Sequence, residues 1–219
     1  MNITKSTLLV SALFILGFSA CNNQTQSKES TTGEANKMEE KKSATTQALD
    51  LASSTITWHG TDPMKTHIGN ISIASGEAKF DENGKLAGGT VTIDMNSITV
   101  TDDKTPEDKK PKLIGHLKSG DFFATDSFPI STFEIASVTA TEGNNYTIKG
   151  NLTIRGKVNG IEIPATVTTT DGITHIMSTF TIDRTKWGVN FHAKGFDASI
   201  KDKFIDNLME ITIDVTTKK

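Results

Sequence analysis

From Leu49 onward the chain alternates apolar and polar residues with a period of two. In "STITWHG" Ile56 and Trp58 share one side. "HIGNISI" places His67, Gly69, Ile71 and Ile73 on one face, and "TVTIDM" sets Val91, Ile93 and Met95 against Thr92 and Asp94. The pattern continues in "STFEIASV" with Phe133 and Ile135, and in "YTIKGNLTI" with Tyr146, Ile148, Gly150, Leu152 and Ile154. It runs on in "IEIPATV" from Ile161 to Val167, in "IMSTFTI" with Ile176, Phe180 and Ile182, and in "MEITIDV" from Met209 to Val215. A period of two with one apolar face marks antiparallel strands that are wet on one side. Asn83-Gly84, Asn159-Gly160 and Asp171-Gly172 tolerate positive φ and lie between alternating runs, so each reads as a hairpin turn. "TEGNN", Thr141 to Asn145, is a looser turn. About eight or nine such strands predict an all-β closed up-and-down barrel or a sandwich. An eight-stranded barrel encloses a space that side chains can fill or one ligand can occupy.

One segment departs from this pattern. "TPEDKKPKLIGHLKSG", Thr105 to Gly120, reads as a helix. Thr105 is placed to cap it, Pro106 suits the first turn, and Glu107 and Asp108 favour the positive end of the dipole. Pro111 is expected to interrupt or restart it. Leu113, Ile114 and Leu117 make an apolar stripe, and Gly120 supplies a stop. Phe122 and Phe123 follow at once. Adjacent residues of an extended segment point to opposite sides, so at most one of the two should enter the barrel and the other should pack under the helix.

The first residues carry a different signal. Lys5 precedes the apolar run "LLVSALFIL", Leu8 to Leu16, which at about nine residues has the length of a signal-peptide core rather than of a membrane span. "FSAC", Phe18 to Cys21, resembles a lipoprotein cleavage site, so residues 1–20 are expected to be removed and Cys21 to become the lipidated first residue. Cys21 is the only cysteine, which excludes an internal disulfide and is accounted for by lipidation. Residues 21–48 are the lipidated cysteine and the run Asn22 to Ala48, which has no aromatic residue and no Leu, Ile or Val. That run reads as a disordered tether reaching roughly 30 Å. Residues 49–219 form one domain, long enough for a real core. A lipid anchor in the cell envelope follows, with the outer membrane facing the periplasm as the expected location, since Asn22 and Asn23 lack the Asp that retains some lipoproteins in the inner membrane.

Composition removes several function classes. The net charge is −3 with both signs interspersed, and no basic or basic-aromatic run points to nucleic acid. No nucleophile elbow, zinc-protease motif, phosphate loop or dinucleotide fingerprint occurs. The five His, at 59, 67, 116, 175 and 192, form no local metal-ligating pair, so neither a metal nor another cofactor is expected. Asp121 and His116 across the helix end need not face each other, and Asp121 reads as a turn residue. Arg155, Asp183, Arg184 and Lys186 read as outward charges. Phe dominates the aromatic residues, with eleven against one Tyr and two Trp. Such an interior suits a greasy cavity as well as a filled core, and periodicity does not decide between them.

Several runs resemble the YceI-like family of polyisoprenoid-binding proteins. These are "TVTIDMNSITVTD" (Thr90–Asp102), "LIGHLKSGDFFATDSFPISTFEI" (Leu113–Ile135), "YTIKGNLTIRGKVNGIEIPATV" (Tyr146–Val167) and "FTIDRTKWGVNF" (Phe180–Phe191). "TWHG" and "DRTKWG" look like its lipoprotein branch. The resemblance implies a lipocalin-like eight-stranded antiparallel barrel with a short helix between the early and late strands. It also implies a hollow interior that holds a long isoprenoid, a quinone-like lipid or another acyl chain. The expected lining is Trp58, Ile71, Phe80, Val91, Ile93, Phe122, Phe123, Phe133, Ile135, Ile148, Leu152, Phe180 and Trp187. The expected role is binding and carriage rather than catalysis, with the membrane and the lipid as partners and a homodimer by family analogy. Two other readings stand beside it: an enzyme acting on a bound lipid through His67, His116 or Asp121, and a ligand-free structural or stress-response module of the envelope.

Overall fold

The computed structural model describes residues 27–39, 44–196 and 203–219. The signal segment and Cys21 lie outside the described residues. Eight long strands make the frame: β4 (Thr55–Thr61), β5 (Thr66–Phe80), β6 (Leu86–Asp94), β7 (Ile130–Ala140), β8 (Asn145–Ile154), β9 (Lys157–Thr170), β10 (Ile173–Asp183) and β11 (Leu208–Thr216). Three short strands precede them: β1 (Lys28–Glu29), β2 (Thr31–Gly33) and β3 (Thr45–Ala48). Each long strand pairs antiparallel with its neighbours, in the order β10-β11-β4-β5-β6-β7-β8-β9. β9 pairs back with β10, which closes the barrel. Of the barrel or sandwich that the alternation allows, this is the closed barrel, with the lipocalin-like architecture that the resemblance implies.

The turns explain why the strands end where they do. Asp81 Oδ1 accepts from the N–H groups of Asn83 and Lys85, and Gly84 takes φ +71°. Asp171 and Gly172 both have positive φ and join β9 to β10 in two residues. Asn159-Gly160, however, is not a turn. It lies within β9, paired with Leu152 and Asn151 of β8. The β8–β9 turn is Arg155-Gly156, with φ of 51° and 69°. Arg155 is held there by Nη1–H donation to the carbonyls of Phe122 and Gly188.

The helix is shorter than expected. α1 runs Lys110–Lys118, with Pro111 in its first turn and Ser119 at its C-cap. Thr105 does not cap it. Its N–H donates to Asp102 Oδ1 at 2.7 Å, and its hydroxyl lies 3.0 Å from His67 Nδ1. Lys109 is the N-cap and makes no side-chain capping bond. Leu117 is buried, and Leu113 and Ile114 pack against the core. The chain then stops at Ser119 rather than Gly120, because the Ser119 hydroxyl donates back to the His116 carbonyl.

The tether expectation is corrected over its described part. Lys28–Glu29 pairs parallel with β10, Thr31–Gly33 pairs antiparallel with β9, and Thr45–Ala48 pairs with β5. Lack of apolar side chains did not keep these residues off the sheet. Their backbones add to strand edges, and that takes N–H and C=O groups rather than hydrophobic surface.

Candidate functional site

Inward side chains leave a cavity of about 90 Å3 inside the barrel. β4 and β5 contribute Ile56, Trp58 and Ile71, β6 contributes Ile93, and β7 and β8 contribute Ser131, Phe133, Leu152 and Ile154. Ile161 and Ile163 of β9, Phe180 and Ile182 of β10, and Met209, Ile211 and Ile213 of β11 complete the ring, with Met95, Ile98 and Phe123 at one end. Such a lining favours hydrocarbon and offers little to a charged molecule.

A second space, about 210 Å3, adjoins this cavity through the shared residues Trp58, Phe123 and Met209. It is a vestibule between the barrel end and α1, lined by Leu113, His116 and Leu117 of the helix, by Asp62 and His67 at the β4–β5 hairpin, and by Arg184 and Asp206. Its polar groups are already engaged. His67 Nδ1 lies 3.4 Å from Asp102 Oδ2, and its Nε2 is 3.8 Å from Asp62 Oδ2. His116 Nε2 is 3.1 Å from Asp121 Oδ2, so this pair does face each other across the helix end. Arg184 is buried rather than outward. Its guanidinium donates to the carbonyls of Asp206, Val189 and Ile205. Burial pulls the Arg184 pKa below its ordinary value, and the nearby Asp183 and Asp206 carboxylates oppose that pull. Burial pushes the Asp102 carboxyl up, but hydrogen bonds from Thr105, the Ile68 N–H and His67 outweigh it and hold the pKa at about 2.

Two hydrogen-bonding atoms among the cavity residues have no partner. They are Trp58 Nε1 and Ser131 Oγ, both buried. Trp187 makes the contrast, since its Nε1–H donates to the Leu152 carbonyl at 2.9 Å. The Trp58 ring lies across β5 at Gly69, where an added Cβ would sit 2.6 Å from the ring and 1.8 Å from the Thr99 carbonyl oxygen. Only glycine leaves room for the indole at that point.

Of the residues expected to line the interior, Trp58, Ile71, Ile93, Phe123, Phe133, Leu152 and Phe180 do line the cavity. Phe122 lines the vestibule alone, edge-on to His116 and tilted against Phe191. Phe123 is therefore the one of the pair that enters the barrel. Phe80, Val91, Ile135, Ile148 and Trp187 belong to the packed core instead. Ile135 sits at a bulge between Ile135 and Ser137 that moves the inward positions to Ala136 and Val138. Phe80 and Ile148 are buried in the core but line neither space. Trp187 is in a 3-10 turn after β10, at the edge of the barrel. The expected lining omits Met95, Ile98 and Ser131, the inward Ile56, Ile154, Ile161, Ile163, Ile182, Met209, Ile211 and Ile213, and Asp62 and Arg184 of the vestibule. Ser131 had a signal, being a polar residue two positions before Phe133 and so on the same face. His59 pairs with Glu210 and His175 with Asp214. No group of three or more metal-ligating side chains occurs among the described residues.

Comparison with known proteins places this geometry. The profile of the YceI-like domain matches residues 47–217. A UPF0312 protein of Staphylococcus aureus (strain bovine RF122 / ET3-1) is 32% identical over 139 residues, which cover 59% of this chain and 78% of that protein. Its counterpart in strain N315 is 30% identical over the same length. Among solved structures, BcnA of Burkholderia cenocepacia superposes with a TM-score of 0.63 at 22% identity, covering 78% of this chain and 99% of BcnA. A polyisoprenoid binding domain from Saccharophagus degradans, implicated in plant cell wall breakdown, superposes with a TM-score of 0.58 at 12% identity, covering 81% of this chain and 99% of that domain. At these identities the structural likeness speaks for the fold.

Proposed function

The chain belongs to the YceI-like domain family, and from that premise we propose that it binds a long isoprenoid-type lipid in its barrel and holds or carries it without chemical change. The observation that carries this reading is the apolar cavity adjoining a polar vestibule across Trp58, Phe123 and Met209. An apolar tail buried there contributes about 0.8 kcal/mol per CH2, and the vestibule receives the head. The polyisoprenoid-binding relative from Saccharophagus degradans supports the same ligand class. Anchorage through an acylated Cys21 would keep the barrel beside the bilayer that supplies such a lipid.

The vestibule also favours one kind of head. Asp62 and Asp206 line it, three of the five Arg184 N–H donors go to carbonyls, and His67 and His116 each face a carboxylate. A phosphate or diphosphate would meet the Asp62 and Asp206 carboxylates, with the partly engaged Arg184 as the one Lys or Arg among the described lining residues. A neutral head bearing a hydrogen-bond acceptor, such as a quinone carbonyl, fits better and gives the Trp58 Nε1–H an acceptor.

The test is native mass spectrometry of protein purified from membranes. Reconstitution with three lipids of matched tail length follows: an isoprenoid quinone, a polyprenol and a polyprenyl phosphate. Retention of the quinone at least about tenfold more tightly than the phosphate is expected. Absence of binding in all three arms overturns the lipid-binding reading. Equal or tighter binding of the phosphate overturns the neutral head alone.

A further inference from the structure

Two ladders of the barrel wall are partial: β6 and β7 pair only from Thr90 to Asp94 and from Ile130 to Glu134, and the seam between β9 and β10 is the other. β9 and β10 pair only from Thr166 to Thr170 and from Ile173 to Met177. Beyond that the ladder parts, and Pro164, which brings no N–H, sits where it does so. The rest of β10 pairs through Phe180 and Thr181 with β1, and the rest of β9 pairs through Gly160, Ile161 and Glu162 with β2. Residues 28–33 thus fill a slot in the wall, and the Ser30 N–H donates to the Thr181 carbonyl at 2.9 Å. This strap precedes residue 47, where the family match begins.

The strap is held only by polar bonds. Its sequence, KESTTG, has no apolar side chain. Two of its hydroxyls, Ser30 Oγ and Thr32 Oγ1, are buried without a partner, so docking gives up their hydration with nothing in return. Its firmest hold is a clasp in which the Asn36 N–H donates to Asn151 Oδ1, Asn36 Nδ2 donates to the Gly150 carbonyl, and Asn151 Nδ2 donates to the Asn36 carbonyl.

The slot opens directly on the cavity. Ile161 and Ile163 on one side of it and Phe180 and Ile182 on the other all line that space. Ile182 pairs with Met209, which lines both cavity and vestibule, so the slot lies at the vestibule end. Size then matters. Pockets for drug-sized ligands run to roughly 300–1,000 Å3, and the cavity and vestibule, about 90 and 210 Å3, reach only the bottom of that range for a much longer lipid. A polyprenyl tail needs the wall to move, and the strap is the part of the wall with least apolar attachment.

We propose that residues 28–36 are a releasable seam strand, and that the slot between β9 and β10 is a lateral port through which the lipid tail enters and leaves the barrel. This rests on the lipid-binding reading above and adds the route to it. Strap undocking frees the β9 and β10 edges to separate, the tail slides in sideways from the vestibule end, and the strap re-docks behind it.

A reversible latch tests the route. Thr31 and Glu162 are register partners on β2 and β9, so Thr31→Cys with Glu162→Cys, in a full-length Cys21→Ser background, links strap to wall on oxidation. Transfer of a long-chain isoprenoid quinone from phosphatidylcholine vesicles is followed by quenching of tryptophan fluorescence. Transfer should slow at least about tenfold in the oxidised pair, recover on reduction, and run faster than wild type when residues 28–36 are deleted. If the deletion does not fold, Gly160→Ala serves in its place. Equal transfer rates in latched, reduced and strap-free protein would overturn the port while leaving lipid binding intact. Failure of the cysteines to pair on oxidation also counts against it, because the strap would not then occupy the slot. No quinone uptake even in the parent protein would bring down the lipid-binding reading itself.

Discussion

Gly160→Ala probes how the strap is held. An added Cβ at this position would lie 2.3 Å from the Glu34 carbonyl oxygen and 2.7 Å from Asn36 Nδ2, well inside the 3.0 Å that real Cβ contacts respect. Either β9 or the strap must yield. β9 is tied along its length to β8. The strap hangs on the Ser30 bond, the three Asn36–Asn151 clasp bonds and its short ladders. At about 1 kcal/mol net per hydrogen bond, the four named bonds amount to roughly 4 kcal/mol. Ordering residues 28–36 costs about 1–2 kcal/mol per residue before ladder bonds offset it. The strap is therefore docked with little net free energy, and a methyl group in its path should displace it. Hydrogen exchange by mass spectrometry should show peptides covering residues 28–36 losing protection at least about tenfold. The melting temperature should fall by no more than about 4 °C, the shift expected for roughly 1 kcal/mol in a domain of this size. Wild-type protection in the strap would refute the reasoning. So would a drop of about 10 °C, which would mean that the strain falls on the barrel.

Other outcomes separate fold from site. Ile148→Ala, in the packed core beyond the cavity and 3% exposed, should lower the unfolding free energy by about 3 kcal/mol in urea titrations and leave lipid affinity within about twofold. Ser131→Phe should do the reverse, filling the cavity and abolishing lipid uptake in the fluorescence assay with a small change in stability. Trp58→Phe should weaken quinone binding by about fivefold, the value of one hydrogen bond, while leaving the affinity for squalene, which has no acceptor, unchanged. Asp102 sets an acid limb. Its folded pKa, about 2, lies below the ordinary 3.8, so the stabilisation is full above about pH 4 and is lost as pH falls toward 2. Asp102→Asn should flatten that limb in pH-dependent melting curves. Cys21→Ser should abolish incorporation of radiolabelled palmitate and release the protein from the membrane fraction.

The barrel was legible because its strands obey a simple rule: alternate residues face alternate sides. Ile56, Trp58 and Ile71 were placed correctly by parity alone. Parity fails at a bulge, and Ile135 was misplaced for that reason. It also carries no information on depth along the barrel axis. Phe80 and Phe180 both point inward, yet one meets packed core and the other meets space. The Asn159-Gly160 pair looked like a turn because that dipeptide tolerates positive φ. Gly160 is glycine for another reason, the passage of residues 34–36 over its α-carbon. Contact with a segment more than a hundred residues away leaves no local trace. The same limit hid the strap, whose composition argues against burying a core and says nothing about joining an edge.

The apolar anchoring of the chain is uneven, and the unevenness fits the proposed function. Phe80, Leu86, Val138 and Ile148 are buried and line neither space, so they supply stability. By contrast, Trp58, Phe123 and Met209 face space on both sides, and the wall between β9 and β10 is completed by a segment with no hydrophobic stake in the fold. A barrel that carries a long lipid has to admit a molecule larger than its standing cavity and then remain folded. Confining the weak seam to the vestibule end separates the two demands, since opening there leaves the packed residues undisturbed. On that argument, variants of the strap and of β9 near Gly160 should change how fast lipid exchanges, whereas variants of the packed residues should change whether the protein folds.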